Sequence, residues 1–375
     1  MIGIFLLHIS VIISAMLFAY IGVIYNKRHH SKGYKWNYGY LLSFLLLLIF
    51  LGFRVSLGRD WNNYERIYTD INQQDFVFGE SRELGFLLLV RFLNFFGLEF
   101  QSFILVTSFL TLCLFFNAYK KIYYLLPFGI FIFFMDWGYP VVINTIRQGI
   151  ALFAFMNAVR YIDNPEKKSG RYFLLYILGG SLFHYSILLF LPTYYIGKIK
   201  QDQLLFSLTC LVVFIMSLFV ITPLYRETMS VVTKYESYET ATHILNDKSS
   251  FGLGATLVLL IRFAPIILYQ KVKKENPILL KYFVLYYIGL SIYYGFYEFL
   301  LITRFTFYFQ FLEIFVLSYF IYYMTSYKKR YILFGVLYVG FIVFNYIYTF
   351  IDFVIDQVAD PDYSVMFMEF RLLDI

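Results

Sequence analysis

Long apolar runs, nearly free of charge, recur along this chain, and a run of about 20 such residues is what an α-helix needs to cross a bilayer. They lie at residues 2–25, 38–53, 100–119, 122–139, 141–162, 203–223, 251–271, 278–299, 301–325 and 331–353. In hydrocarbon every backbone N–H and C=O must be satisfied within the protein, so such runs are read as helices. Hydrophobic residues make up 60% of the 375 positions and charged residues only 15%, too much apolar surface for water alone to be the solvent. Two stretches fit less well. Residues 84–97 are short and carry Arg91, and residues 172–197 are interrupted by His184 and Pro192.

A net charge of +7 raises nucleic acid as a partner, but the distribution excludes it. Most basic residues sit in short clusters between apolar runs, at 27–35, 120–121, 167–171, 198–200, 271–274 and 328–330. Short basic loops belong at the anionic cytoplasmic leaflet. Placing them there puts both termini outside. It also requires 84–97 to be re-entrant or interfacial and 172–197 to enter and leave on the cytoplasmic side as a hairpin. The expected fold is an all-α membrane protein of about ten transmembrane helices plus two partial helical elements. It forms a single polytopic domain over 1–375, with outer loops near 54–83 and 224–250 and an outer tail near 354–375. Residues 2–25 lack a basic flank and a cleavage site, and are read as a retained span. Cys113 and Cys210 both lie inside apolar runs and form no metal-ligand spacing.

Charge inside a bilayer is costly and marks function by default. Arg160 and Lys281 lie near the cytoplasmic boundary, where they can snorkel. Arg147 and Arg304 sit a few residues inside the outer ends of their helices. Asn144, Arg147 and Gln148 follow i, i+3, i+4 spacing and share one face of a single helix, as Arg304 and Tyr308 share a face of another. The segment after the second span holds Arg54, Gly58, Asp60 and Tyr64, and Glu83 stands at the entrance of the first partial helix. Arg54, Asp60, Glu83, Arg147 and Arg304 therefore lie at one depth. His184 follows the Gly179-Gly180 pair and precedes Pro192, the signature of a broken helix, which in membranes exposes backbone to a substrate site. A histidine in an apolar helix is more commonly a satisfied core residue, and an outer-end arginine also reaches lipid phosphate; three polar groups on one stripe favour a site.

No P-loop, dinucleotide fingerprint, metalloprotease helix or nucleophile elbow occurs. Asp360-Pro-Asp362 has the spacing of a metal–nucleotide-sugar motif, but it falls in the outer tail and is read as coincidence. His29-His30 lies in a basic inner loop and is read as surface. The sequence calls for no metal and no cofactor.

These residues resemble the EpsG family of Wzy-like membrane proteins, which polymerise bacterial surface polysaccharides. The matching features are Phe53-Arg54 with Gly58, Asp60, Tyr64 and Glu83; Asn144-x-x-Arg147-Gln148-x-x-Ala151; Phe183-His184-x-Ser186; Arg304 with Tyr308; and Pro361-x-Tyr363. The likeness runs from about residue 50 to about residue 365, with Arg59 departing from the small or neutral residue the pattern has before Asp60. The resemblance implies a polymerase (glycosyltransferase) in the bacterial inner membrane, with its active site facing the periplasm. Its substrate would be an oligosaccharide linked to undecaprenyl pyrophosphate, and its further partners membrane lipid and a chain-length regulator. On that chemistry Arg147 and Arg304, assisted by Arg54, would grip the diphosphate. The acceptor hydroxyl needs a base, for which Asp60, Glu83 and His184 are the candidates, Asp60 ranked first. Asn144, Gln148, Tyr64 and Tyr308 would orient sugar. Three other readings stay open: a flippase for lipid-linked oligosaccharide, a ligase differing only in its acceptor, and an acyltransferase using His184.

Overall fold

The computed structural model describes residues 2–29, 35–55, 57–58, 60–73, 83–136, 138–162, 168–196, 210–212, 215, 258, 261–295, 300–326 and 329–359. Every element among them is helical. The chain divides into two compact units, one of Met1–Asn157, Leu174–Leu188 and Ile321–Ile375, the other of Ala158–Phe173 and Leu189–Phe320. Among the described residues four helices are long and apolar enough to cross a membrane alone, five if a bent pair counts as one span. The spans expected at 203–223 and in the first half of 251–271, the loop at 224–250 and most of the tail lie outside the described residues.

The first unit opens with α1 (Ile2–His29) and α2 (Tyr38–Gly52), which run antiparallel and pack together. Asn37 starts α2 by accepting the Tyr40 N–H at 3.2 Å, which satisfies one of the orphan donors of the first turn. The Ser43 hydroxyl crosses to the Ala15 carbonyl at 2.8 Å, a polar tie between two apolar helices. The segment after α2 is not a plain loop. It contains α3 (Trp61–Gln73), whose Trp61, Tyr64, Ile67 and Tyr68 are buried at helical spacing while Asn62, Asn63, Glu65 and Arg66 are exposed. The buried face of α3 forms one core with α4 (Leu84–Phe95) and α5 (Phe100–Ala118).

The runs expected as spans 122–139 and 141–162 break elsewhere than predicted. A short 3₁₀ turn (Tyr123–Leu125) leads into α6 (Leu126–Met135), then α7 (Gly138–Asn144) and α8 (Ile146–Val159). The first pair bends by 65°. Thr145 separates α7 from α8: its hydroxyl and its N–H both reach the Val141 carbonyl, at 2.7 and 2.8 Å. A threonine that bonds back to the preceding turn bends a helix there. Asn144 is the last residue of α7, and Arg147 and Gln148 lie on the first turn of α8, with Thr145 between them. Towards the far end of α8, the Asn157 amide donates to the Leu114 carbonyl of α5 at 2.8 Å. Asn117 reaches both Asn157 (2.7 Å) and the Tyr176 hydroxyl (2.9 Å) of α9 (Ser169–Ser181). These amides tie three apolar helices in register where dispersion alone would let them slide.

Both partial elements take the form expected of them in length. The 12 residues of α4 reach about 18 Å and the 13 of α9 about 20 Å, short of a bilayer core of about 30 Å. After α9 the chain turns at Leu182–His184, continues as a 3₁₀ helix (Tyr185–Phe190) and ends in α10 (Thr193–Ile196). The Tyr194 ring returns to within 5.1 Å of Phe173 near the start of α9, so the segment doubles back on itself with His184 at its tip.

The second unit is built on α11 (Tyr269–Glu275), α12 (Pro277–Gly295), α13 (Leu300–Gln310) and the first part of α14 (Glu313–Ser326), while α15 (Lys329–Ala359) belongs to the first unit. Pro265 begins a 3₁₀ turn over Ala264–Leu268, so the run at 251–271 is not one smooth helix. The run at 301–325 forms α13 and α14, of which Phe305–Ser326 is long and apolar enough to cross as one span, and α15 carries helix to Ala359, beyond the tail boundary expected at 354. Lys281 and Arg160 do not snorkel. Both are buried: Lys281 Nζ donates to the Ile162 carbonyl, in the turn that follows α8, and Arg160 donates to the Tyr161 hydroxyl at 3.1 Å.

Candidate functional site

Glu83 is the centre of the polar cluster in the first unit. It stands at the N-cap of α4 with extended backbone and is buried. One carboxylate oxygen accepts from Arg147 Nη1, and the other lies 2.9 Å from His184 Nδ1. Residues 83, 147 and 184 are brought together from α4, α8 and the turn after α9. The Arg147 and His184 side chains keep 27% and 31% of their surface, against 7% for Glu83. The carboxylate is sealed in while the cation and the imidazole remain reachable.

The backbone explains how this pairing is held. The first N–H groups of a helix have no partner inside it. In α4 those of Gly85 and Phe86 both point at the Leu182 carbonyl, at 2.7 and 3.3 Å. The start of α4 is thereby bonded to the turn that carries His184. A Cβ on Gly85 would stand 2.6 Å from Leu182 Cβ and 2.8 Å from its carbonyl oxygen, so only glycine permits the approach.

Aromatic rings complete the cradle. The Arg147 guanidinium carbon lies 5.1 Å from the Phe86 ring centre and 5.9 Å from that of Tyr64, within cation–π range. Burial works against ionising Glu83, but the His184 hydrogen bond and the Arg147 charge outweigh it and hold the carboxyl below its ordinary range. Burial raises the Tyr64 hydroxyl; the nearby Arg147 charge opposes that, and the charge of Asp60 adds to it, which places Asp60 within electrostatic reach. The Asp60 carbonyl accepts the Tyr64 N–H at 2.9 Å at the start of α3.

Two further approaches bring the outer segment to the site. Gly58 has φ +110°, a region L side chains avoid, and a Cβ there would meet Asn144 Oδ1 at 2.9 Å and the Ile143 carbonyl at 3.0 Å. The Arg54 turn therefore lies directly on the junction of α7 and α8. Arg54 itself is buried and donates from Nη1 to the Leu51 carbonyl (2.6 Å) and to Ser108 Oγ of α5 (3.1 Å).

Of the residues singled out in the sequence, Glu83, Arg147 and His184 are in contact, and Tyr64, Asp60, Asn144 and Arg54 are arranged around them. Gln148 is half-buried on the first turn of α8. Tyr308 belongs to the second unit, where its ring is fully buried at 4.3 Å from Phe190. Arg304 lies on α13, and its side chain is outside the described residues. Phe86 and the Leu182 carbonyl were not anticipated: Phe86 is one phenylalanine among 46, and a backbone carbonyl carries no sequence signal. A buried pair in the second unit, Arg262 with Glu313 at 3.8 Å, was also not singled out. Among the described residues no group of histidine, cysteine and carboxylate could hold a metal ion.

A helical, multi-pass membrane protein with a half-buried arginine–carboxylate–histidine cluster between broken helices defines the class. Within it, the EpsG family model matches residues 37–359, most of the chain. The protein belongs to the EpsG family, whose setting is polysaccharide biosynthesis at a membrane. No curated protein and no solved structure matches it.

Proposed function

We propose that this protein is a polysaccharide polymerase. It would transfer a growing glycan from undecaprenyl pyrophosphate to the end of another lipid-linked repeat unit, at the outer face of the bacterial inner membrane. The topology that goes with this reading has about ten spans and both termini outside. The observation that carries it is the bridging of Arg147 and His184 by the buried Glu83.

With Glu83 accepting a hydrogen bond from His184 Nδ1, the imidazole is fixed in the tautomer that leaves Nε2 basic and facing away from the carboxylate. The acceptor sugar hydroxyl loses its proton to Nε2 as its oxygen attacks the anomeric carbon of the donor. The bond from that carbon to the diphosphate oxygen breaks, and the electron pair leaves with the diphosphate. Charge builds on the leaving group, which Arg147 and Arg54 would neutralise without a metal. This assigns the base to His184 ahead of Asp60, because His184 has a carboxylate partner that orients it and a third of its side chain is open. Asp60 and Tyr64 would then border the acceptor.

The test is growth of a ladder from purified protein and lipid-linked repeat units. Product linked to the same polyprenyl carrier supports polymerase, glycan moved to a different lipid supports a ligase, and transfer across the bilayer without a new bond supports a flippase. A normal ladder from His184→Ala would remove the proposed base.

A further inference from the structure

The two helices that bring Arg147 and His184 to Glu83 are fastened together a second time, towards the far end of α8. Asn157 lies about 15 Å along the helix axis from Arg147. Its side chain is fully buried, and both of its N–H groups are used, one on the Leu114 carbonyl of α5 (2.8 Å) and one on the Phe153 carbonyl (2.9 Å). Its oxygen accepts from Asn117 Nδ2 of α5 at 2.7 Å. The same Asn117 nitrogen donates to the Tyr176 hydroxyl at 2.9 Å, on α9, the helix that leads to His184. One amide on α5 therefore holds α8 and α9 at once, well away from the Glu83 cluster.

Between the two fastenings α8 and α9 approach closely through small side chains. A Cβ on Gly180 would stand 2.6 Å from Ile187 Cδ1 and 3.0 Å from Ala154 Cβ, with Ala151 Cα at 3.6 Å. Smooth apolar faces of this kind set no axial position in lipid, because sliding exchanges one van der Waals contact for another. Hydrogen bonds do set it, since a buried N–H that leaves its acceptor finds no water. The rail is shared by the third helix of the site as well: Phe103 of α5 packs edge-on against Phe86 of α4, with ring centres 5.6 Å apart. Glu83 can bridge Arg147 and His184 only while both stay within hydrogen-bond reach. A slip of about 1 Å between α8 and α9 would open one side of that bridge, and misplacements of this size cost about 10²-fold in rate.

We infer that Asn117 is a positioning residue for the reaction: through Asn157 and Tyr176 it fixes the axial offset of α8 against α9, and with it the separation of Arg147 and His184 across Glu83. The inference rests on the proposed reaction for its effect on rate, but its effect on the His184 ring is measurable without turnover. A tie that served stability alone would, when removed, reduce the folded fraction and leave each folded molecule as active as the parent.

The experiment uses the purified full-length protein in detergent with isotope-labelled histidine and makes two readings. One is the nitrogen NMR spectrum of the His184 imidazole, assigned by its loss in His184→Ala. The other is the initial rate of ladder growth per folded molecule. Asn117→Leu is close to asparagine in size and cannot hydrogen-bond. Its His184 ring should change from one tautomer to a mixture, and kcat should fall about tenfold or more with KM within about threefold. Tyr176→Phe removes only a hydroxyl and guards against misfolding; it releases α9 alone and should lower kcat about threefold, with part of the spectral change. Asn117→Gln, which keeps the amide, should recover part of the rate. Gly179→Ala, at a position where a Cβ meets nothing within 4 Å, should leave both readings as in the parent. An unaltered His184 spectrum in Asn117→Leu and Tyr176→Phe, or a rate that falls only as the folded fraction falls, would overturn the inference. A parent that makes no ladder defeats the polymerase reading, and the spectrum then decides alone: a tautomer mixture in both variants supports the positioning role and an unchanged ring overturns it. A parent ladder matched by both variants would overturn the positioning role and leave the polymerase reading standing.

Discussion

Replacing Glu83 with glutamine removes one oxygen's charge and puts an amide where the carboxylate now accepts from both sides. Glutamine has one acceptor oxygen, so it can serve Arg147 or His184 but not both, and its NH₂ then faces a donor. A hydrogen bond to a charged group contributes about 1.5–3 kcal/mol, and a donor left without a partner costs about 1–3 kcal/mol. Arg147 and His184 keep 27% and 31% of their side-chain surface, so water recovers part of this. A net loss of about 2 kcal/mol of stability is the resulting figure, small enough for the protein to remain folded in the membrane. The effect on chemistry is larger. With the imidazole no longer held in one tautomer, most of the general-base contribution, a factor of about 10²–10⁴, is lost. The assay is the initial rate of ladder growth from lipid-linked repeat units by purified protein, with donor and acceptor varied separately. The expected result is a fall of about a hundredfold or more in kcat with KM changed far less. Glu83→Asp, which keeps the charge, should recover part of the rate. A Glu83→Gln protein that is folded and within about threefold of the parent rate would refute the reasoning. So would equal losses in the glutamine and aspartate variants, because that pattern indicates packing rather than charge.

Other expectations follow from the same geometry. Arg147→Lys keeps the charge but cannot reproduce the planar contact with Phe86 and the fork toward Glu83, so ladder formation should fall about tenfold or more while membrane levels of the protein stay normal. Gly58→Ala forces a side chain onto φ +110° and against Asn144 and Ile143, and should lower thermal stability by about 1–3 kcal/mol in a detergent melt. Gly85→Ala drives a methyl into Leu182 and should separate α4 from the His184 turn. Its rate should fall, and amide exchange at residues 85 and 86 should rise. The Glu83 carboxyl is held below its ordinary value of 4.5, so its contribution to stability is full above that pH and disappears as the pH falls through the lower, folded-state value. Acid melts of the parent should therefore lose stability below about pH 4.5 more steeply than those of Glu83→Gln.

Apolar runs show what solvent a segment prefers, and the sequence alone determined that this is an all-helical, multi-pass membrane protein with Glu83, Arg147 and His184 among its chemically notable residues. That preference is local, written residue by residue in side-chain chemistry. It was also enough to mark 84–97 and 172–197 as too short or too broken to cross as single helices. It did not place the break at Thr145, because whether a threonine bonds back to its own helix depends on what else competes for that carbonyl. Nor did it distinguish a snorkelling Lys281 from one that donates to the Ile162 carbonyl, since that carbonyl lies 119 positions away. Only the tertiary structure decided that Glu83 would bridge Arg147, 64 positions distant, and His184, 101 positions distant. An ion pair forms where packing of α4, α8 and the turn after α9 removes water from three particular side chains together, and no local pattern encodes which helices will meet.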